Sequence, residues 1–206
     1  MSLVPPFDFL PDWPGWTPEF EPLYRQEQSR TAAGRTIVKD LGSALWRMTA
    51  LSKTLSPNRL DYWRARLEAM DGGLTTFKGY PLSRCRPILH PGSAVLPVGT
   101  LHTIGGNRKS VRIDELDGIT LSVGDMIGIG GRDIHRVVES AAAVGGLTPL
   151  FEVRPHLWAD VVTGAAVSIT RPFCLMTIVP GSITSSAEPQ TGRGTISFQA
   201  TEARDE

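Results

Sequence analysis

The sequence predicts a mainly β fold with one α-helix and a small β-barrel inserted late in the chain. Three observations predict it. Only one stretch has helical periodicity, Leu60, Trp63, Leu67 and Met70 at steps of three, four and three. The remaining apolar residues alternate in short runs. Those runs are punctuated by 21 glycines and 16 prolines, the residues that end strands and make turns.

Residues 1–18 hold Pro5, Pro6, Pro11, Pro14 and Pro18, with Phe7, Phe9, Trp13 and Trp16 between them. So many prolines exclude helix and central strand, and so many aromatics exclude a solvated linker. The segment reads as an extended arm that docks its aromatics on a surface, its own or a neighbour's. Phe20 to Thr31 reads as an extended polar segment, with a turn at Ala32 to Arg35 and a strand from Thr36. After a turn at Gly42-Ser43, Ala44 to Lys53 alternates as the last strand of an antiparallel meander. Ser56-Pro57 starts the helix as N-cap and first turn, which is expected over 57–71 and closed by Gly72-Gly73. Leu74 to Lys78 is strand-like.

Residues 82–98 are proline-rich and read as a crossing between domains. From Gly99 a second series of short strands spans Thr100 to Thr170, as a small closed barrel requires. Leu121 to Glu139, LSVGDMIGIGGRDIHRVVE, is its central hairpin, turning at Gly130-Gly131. Cys174 to Val179 and Gly194 to Ala200 return to the first domain. The expected domains are the arm at 1–18, a β-sandwich or roll at 19–97 and 173–206, and the barrel at 98–172.

The chain of 206 residues has 21 basic and 21 acidic side chains, a net charge of zero. Zero net charge argues against polyanion binding and mildly favours life in an assembly. Arg makes up most of the basic residues, and Arg is enriched at interfaces, although a GC-rich genome raises it too. Two cysteines without a CxxC suit a reducing compartment. No run is long and apolar enough to span a membrane, and the first residues lack the pattern of a secretion signal.

Candidate chemistry is sparse. Asp133 and His135 share one strand face, at i and i+2; without a recognisable third ligand they read as a solvated face and not as a metal site. Gly128 to Gly131 is not GxGxxG, and a strand follows it, so it carries no phosphate loop. Cys85 and His90 are at no catalytic spacing. An acid pair would have to come from Asp114-Glu115 and Asp125. Trp46 and Trp63 read as core. Arg84 and Arg86 flank Cys85 on one strand face, as an interface set or a wet edge. No catalytic residue, cofactor or metal is expected.

The order of these features has a resemblance. A Pro/aromatic start, a short meander, then Leu60 to Phe77, LDYWRARLEAMDGGLTTF, resembles tail proteins of long-tailed bacteriophages and of related prophage or gene-transfer particles. LSVGDMIGIGGRDIHRVVES followed by LTPLFEVRPHLWADVVTGAAVSI resembles their second half. His135, where an aromatic is usual, and Arg154-Pro155-His156 depart from the pattern. The closest role is the distal tail protein. That resemblance implies an OB-like or galectin-like barrel and a hexameric ring at the distal end of the tail, assembled in the host cytoplasm. It implies as partners the tail tube protein, the tail-tip hub, and tape-measure and receptor-binding proteins. Phe7, Phe9, Trp13, Trp16, Arg84 and Arg86 are then the candidate inter-subunit contacts. A carbohydrate-binding tail module and a tail-associated hydrolase are the alternatives. No membrane or sequence-specific nucleic acid partner is expected.

Overall fold

A computed structural model describes residues 4–204; the first three residues of the expected arm and the last two of the chain lie outside it. The strands in chain order are β1 (Gly15–Leu23), β2 (Gln26–Arg30), β3 (Thr36–Asp40) and β4 (Leu45–Ser52), then helix α1 (Pro57–Glu68) and β5 (Phe77–Gly79). There follow β6 (Gly99–Ile104), β7 (Ser110–Asp114), β8 (Thr120–Leu121), β9 (Met126–Ile129), β10 (Asp133–Val137), β11 (Ala141–Ala142), β12 (Phe151–Arg154) and β13 (Ala166–Ser168). The chain closes with β14 (Cys174–Ile178), β15 (Thr184–Ala187) and β16 (Gly194–Glu202). The fold class is as the sequence predicts: mainly β, with one α-helix among the described residues and a closed barrel.

The chain divides into two compact units. The first gathers Met1–Glu21, Trp46–Cys85 and Arg171–Glu206, and the second Pro22–Leu45 and Arg86–Thr170. The expected boundaries differ at three places: residues 22–45 and 86–97 group with the barrel, and residues 171–172 with the first unit. Hydrogen bonds give the reason for the first two. Ser43 Oγ donates to His156 O at 2.6 Å, and the Ile88 amide donates to Asp125 at 2.8 Å.

In the first unit β1, β4, β16, β14 and β5 lie in that order in one sheet, with β15 beside β16. Trp46, Met48 and Ala50 of β4 point inward with Ile196, Phe198 and Ala200 of β16 and are all buried, as period-2 alternation requires. Helix α1 buries Leu60, Trp63 and Leu67. Each such side chain contributes roughly 1.5–3 kcal/mol of transfer free energy. Ser56 is extended and Pro57 follows as the first helical residue, but the Ser56 side chain makes no capping bond. The helix ends at Glu68, earlier than expected. The Met70 amide shortens its reach to Leu67 O, and Asp71 and Gly72 take φ of 50° and 63°, which no helix continues through.

The continuous meander does not form. β2 and β3 pair only with each other, Gln26 opposite Asp40 through Arg30 opposite Thr36.

In the second unit β10, β12, β7, β6, β13 and β9 close a six-stranded antiparallel barrel, one strand more than an OB fold has. Leu101, Val111, Ile113, Ile127, Ile129, Phe151 and Val153 fill it. The β9–β10 hairpin turns through Gly130 and Gly131 at φ 63° and 72°, the double left-handed conformation of a type I′ turn. Its register sets Asp133 opposite Ile129 and His135 opposite Ile127, so both polar residues share a face with the barrel core. They are buried, at 3% and 1% exposure, which overturns the solvated face expected for them. His135 Nδ1 lies 2.9 Å from Pro155 O.

Candidate functional site

The Pro/aromatic arm docks on its own unit. Phe7, Phe9 and Trp13 are buried. The Trp13 ring meets Trp63 at 5.0 Å and Phe198 at 5.2 Å, both edge-on, and Phe9 meets Phe77 at 4.9 Å. These three side chains are part of the first unit's own core, which leaves them almost no exposed surface to offer as the expected inter-subunit contacts. Trp16 is different, with 54% of its surface exposed. Leu82–Arg84 forms a 3-10 turn, so Arg84 and Arg86 do not alternate along a strand. Arg84, in the first unit, is exposed. Arg86, in the second, spends its donors on His90 O at 3.1 Å and Ala94 O at 2.7 Å, which leaves it a local brace.

Two edges of the first unit's sheet, at β1 and β5, are blocked to pairing. At one edge β1 carries Pro18 and Pro22 at alternate-register positions, and a proline without an N–H blunts an edge. At the other, Phe7 bridges Phe77 in parallel; its amide donates to Thr76 O and Lys78 donates back to Phe7 O. Ring closure through either of these edges is therefore disfavoured.

The β2–β3 ribbon is open instead. All ten of its residues are exposed. Ile37 and Val38, on opposite faces of β3, are 49% and 55% exposed, and Leu41 at its base 50%. The tip is tied by the Thr31 amide to Arg35 O at 2.9 Å and by the Arg35 amide to Thr31 Oγ1 at 3.1 Å. At the foot of the ribbon lies a cleft of about 210 Å³ lined by Tyr24, Asp40, Lys109, Arg154 and His156, among others. Arg154 stands directly opposite Arg136 across β12 and β10. Burial lowers the Arg136 pKa from its ordinary value, and Tyr24 pulls it back up. Arg154 is braced by Glu152 at 2.6 Å. The cleft thus sets Lys109 and Arg154 against Asp40, with Arg154 already paired to Glu152.

The residues singled out for chemistry do not converge. Asp125, weighed as an acid, is fully buried and accepts backbone amides from Ser122 at 2.7 Å and Ile88 at 2.8 Å. His90 Nε2 accepts the Thr120 amide at 3.0 Å. Among the described residues, no three His, Cys, Asp or Glu side chains gather as a metal-ligand set, and no helix is long and apolar enough to cross a membrane. The cleft residues Tyr24, Lys109, and Arg154 with His156 come from three separate stretches, so no spacing in the sequence signals them.

Burial pushes the Cys85 thiol up, with Arg171 opposing. It also pushes Tyr80 to about 12, with Asp8 and Cys85 adding to the rise. An acid whose folded pKa is raised contributes stability in full below its unfolded pKa and loses it as pH climbs toward the folded value. The melting temperature should therefore fall from roughly pH 9 upward, and Tyr80→Phe should flatten that fall. A pH series of thermal melts checks this; an identical alkaline slope in the variant would count against it.

No protein-family model matches the chain, and no curated protein matches it.

Proposed function

We propose that the protein is a structural, non-catalytic adaptor of a phage-type tail: a distal tail protein whose copies close a ring, six by the resemblance, between the tail tube and the tail-tip hub. The observation that carries this reading is the β2–β3 ribbon. A lone two-stranded ribbon is marginal in water, and this one exposes Ile37, Val38 and Leu41. Such a device gains its stability when another surface covers it. Zero net charge and a mainly β fold with one helix and a barrel agree with the resemblance. In this reading the fully assembled ring sits at the distal end of the virion tail.

Mass photometry and negative-stain imaging of the purified chain test it. Discrete rings should form as concentration rises through the micromolar range. Ile37→Glu with Val38→Lys should weaken assembly by about 10-fold or more while leaving circular dichroism unchanged. A chain that stays monomeric and also ignores tail tube protein would sink the reading.

A further inference from the structure

Helix α1 carries three arginines, Arg59, Arg64 and Arg66, and they are not equivalent. Arg64 is engaged within its own unit: it pairs with Asp61 at 2.9 Å and donates to Ser185 Oγ at 2.7 Å. Among the described residues, Arg59 and Arg66 have no carboxylate within ion-pair reach. The helical period explains the split. At 3.6 residues per turn Arg59, Tyr62 and Arg66 fall on one flank, and Asp61, Arg64 and Glu68 on the other. Both acids of the helix therefore project away from Arg59 and Arg66. These two guanidiniums are nonetheless held in place. Arg59 Cζ lies 5.8 Å from the Tyr62 ring centroid and Arg66 Cζ 5.7 Å, within cation–π range. Arg66 also donates to Tyr62 Oη at 2.9 Å and lies 5.6 Å from the Trp63 ring. Tyr62 in turn meets Trp63 edge-on at 5.6 Å, and Trp63 is fully buried. The core thus orients Tyr62, and Tyr62 orients both arginines.

We infer that the Arg59–Tyr62–Arg66 flank of α1 is a docking surface for an acidic segment of a partner protein. That segment presents two carboxylates about 10.5 Å apart, the rise of the helix over the seven residue steps from Arg59 to Arg66. A guanidinium stacked on a ring keeps its N–H edge free, and its planar fork pairs bidentately with a carboxylate. Holding the fork in place beforehand lowers the entropy cost of binding, and Arg with Tyr is the composition of interface hot spots. Charge argues for a protein and against a nucleic acid. Affinity for a phosphate backbone comes from many basic contacts. This flank offers two cations, the other flank carries Asp61 and Glu68, and the whole chain is neutral. Leu60, Trp63 and Leu67 anchor the helix from beneath, so the surface is rigid. The β2–β3 ribbon belongs to the other unit. The inference therefore goes beyond the ring reading and does not rest on it.

Fluorescence anisotropy of a labelled peptide on the full chain tests it. The probe is an alanine-rich helical peptide with two glutamates seven residues apart, and its control carries glutamines there. The glutamate peptide should bind about 10-fold or more tighter than the control, and its affinity should fall as salt rises. Arg59→Gln with Arg66→Gln should abolish that difference. Arg59→Lys with Arg66→Lys keeps the charge but loses the fork and the stack, and should weaken binding several-fold. Arg64→Gln, on the other flank, should leave it unchanged. Circular dichroism shows that each variant is folded. The docking surface is overturned if the glutamate peptide does not bind at concentrations up to about 1 mM. It is overturned equally if both peptides bind alike, or if the double-glutamine variant binds as the wild type does. Single-stranded DNA that displaces the probe at lower concentration than unlabelled peptide does would assign the flank to phosphate and overturn the carboxylate assignment. Mass photometry separates this surface from the ring. The double-glutamine chain should assemble as the wild type does; if the wild type forms rings and this variant does not, the occupant is a second copy and the separate partner is overturned.

Discussion

Trp63→Ala lowers the stability of the first unit by about 3–5 kcal/mol. The ring is fully buried at the centre of an aromatic cluster. It takes Trp13 edge-on at 5.0 Å, Phe9 at 6.2 Å and its helix neighbour Tyr62 at 5.6 Å. Truncation leaves a cavity that the arm, tied by hydrogen bonds between Phe7 and β5, cannot collapse to fill. The loss thus reaches three parts of the chain at once: the arm, the helix and the sheet. Trp63→Phe keeps a ring against Trp13 and should cost much less. It also removes an indole N–H that finds no acceptor among the described residues. Urea unfolding followed by tryptophan fluorescence reads this unit selectively, because Trp13, Trp16, Trp46 and Trp63 belong to it and only Trp158 to the other. A shift under about 1 kcal/mol, the scale of an ordinary surface change, would show that the arm does not pack on the helix.

The legible part of this fold is the part written in local periodicity. Leu60, Trp63, Leu67 and Met70 have one period, and all four are buried. Gly130-Gly131 needs no tertiary context to be a turn. The illegible part depends on what a strand lies against. Alternation in Thr36–Asp40 does not say that β3 has β2 as its partner and no sheet beyond. Asp133 and His135 look solvated in sequence because they are polar, yet register with Ile129 and Ile127 fixes them inward. The arm shows the same limit: its aromatics announce that it docks, and only the structure says that Phe9 and Trp13 dock on Trp63 of the same chain. The cleft at the foot of the ribbon was invisible for a related reason. Tyr24, Lys109 and Arg154 are far apart in the chain, and only tertiary packing brings them together.

Asp125→Ala should destabilise the barrel unit by about 2–4 kcal/mol, the cost of stranding two amide donors that a charged acceptor now serves. Asp125 follows Gly124, whose φ of 92° aims the next carboxylate back at its own turn. One oxygen accepts from Ser122 at 2.7 Å and the other from Ile88, 37 residues earlier in the chain, at 2.8 Å. Its own backbone continues the hairpin ladder, accepting the Val137 amide at 2.8 Å. A single side chain thus fixes the turn entering β9 and ties the 86–97 crossing to the barrel. Asp125→Asn separates this role from a merely steric one. The amide has one acceptor oxygen, and its NH2 would face the second N–H donor to donor. Asn, nearly isosteric with Asp, should therefore cost almost as much as Ala. Hydrogen exchange gives the sharper measurement: the Ser122 and Ile88 amides should lose protection together in both variants, while amides in the β6–β7 pair stay protected. Full protection of both amides in Asp125→Asn would mean that the carboxylate does not hold them, and the crossing would then need another anchor.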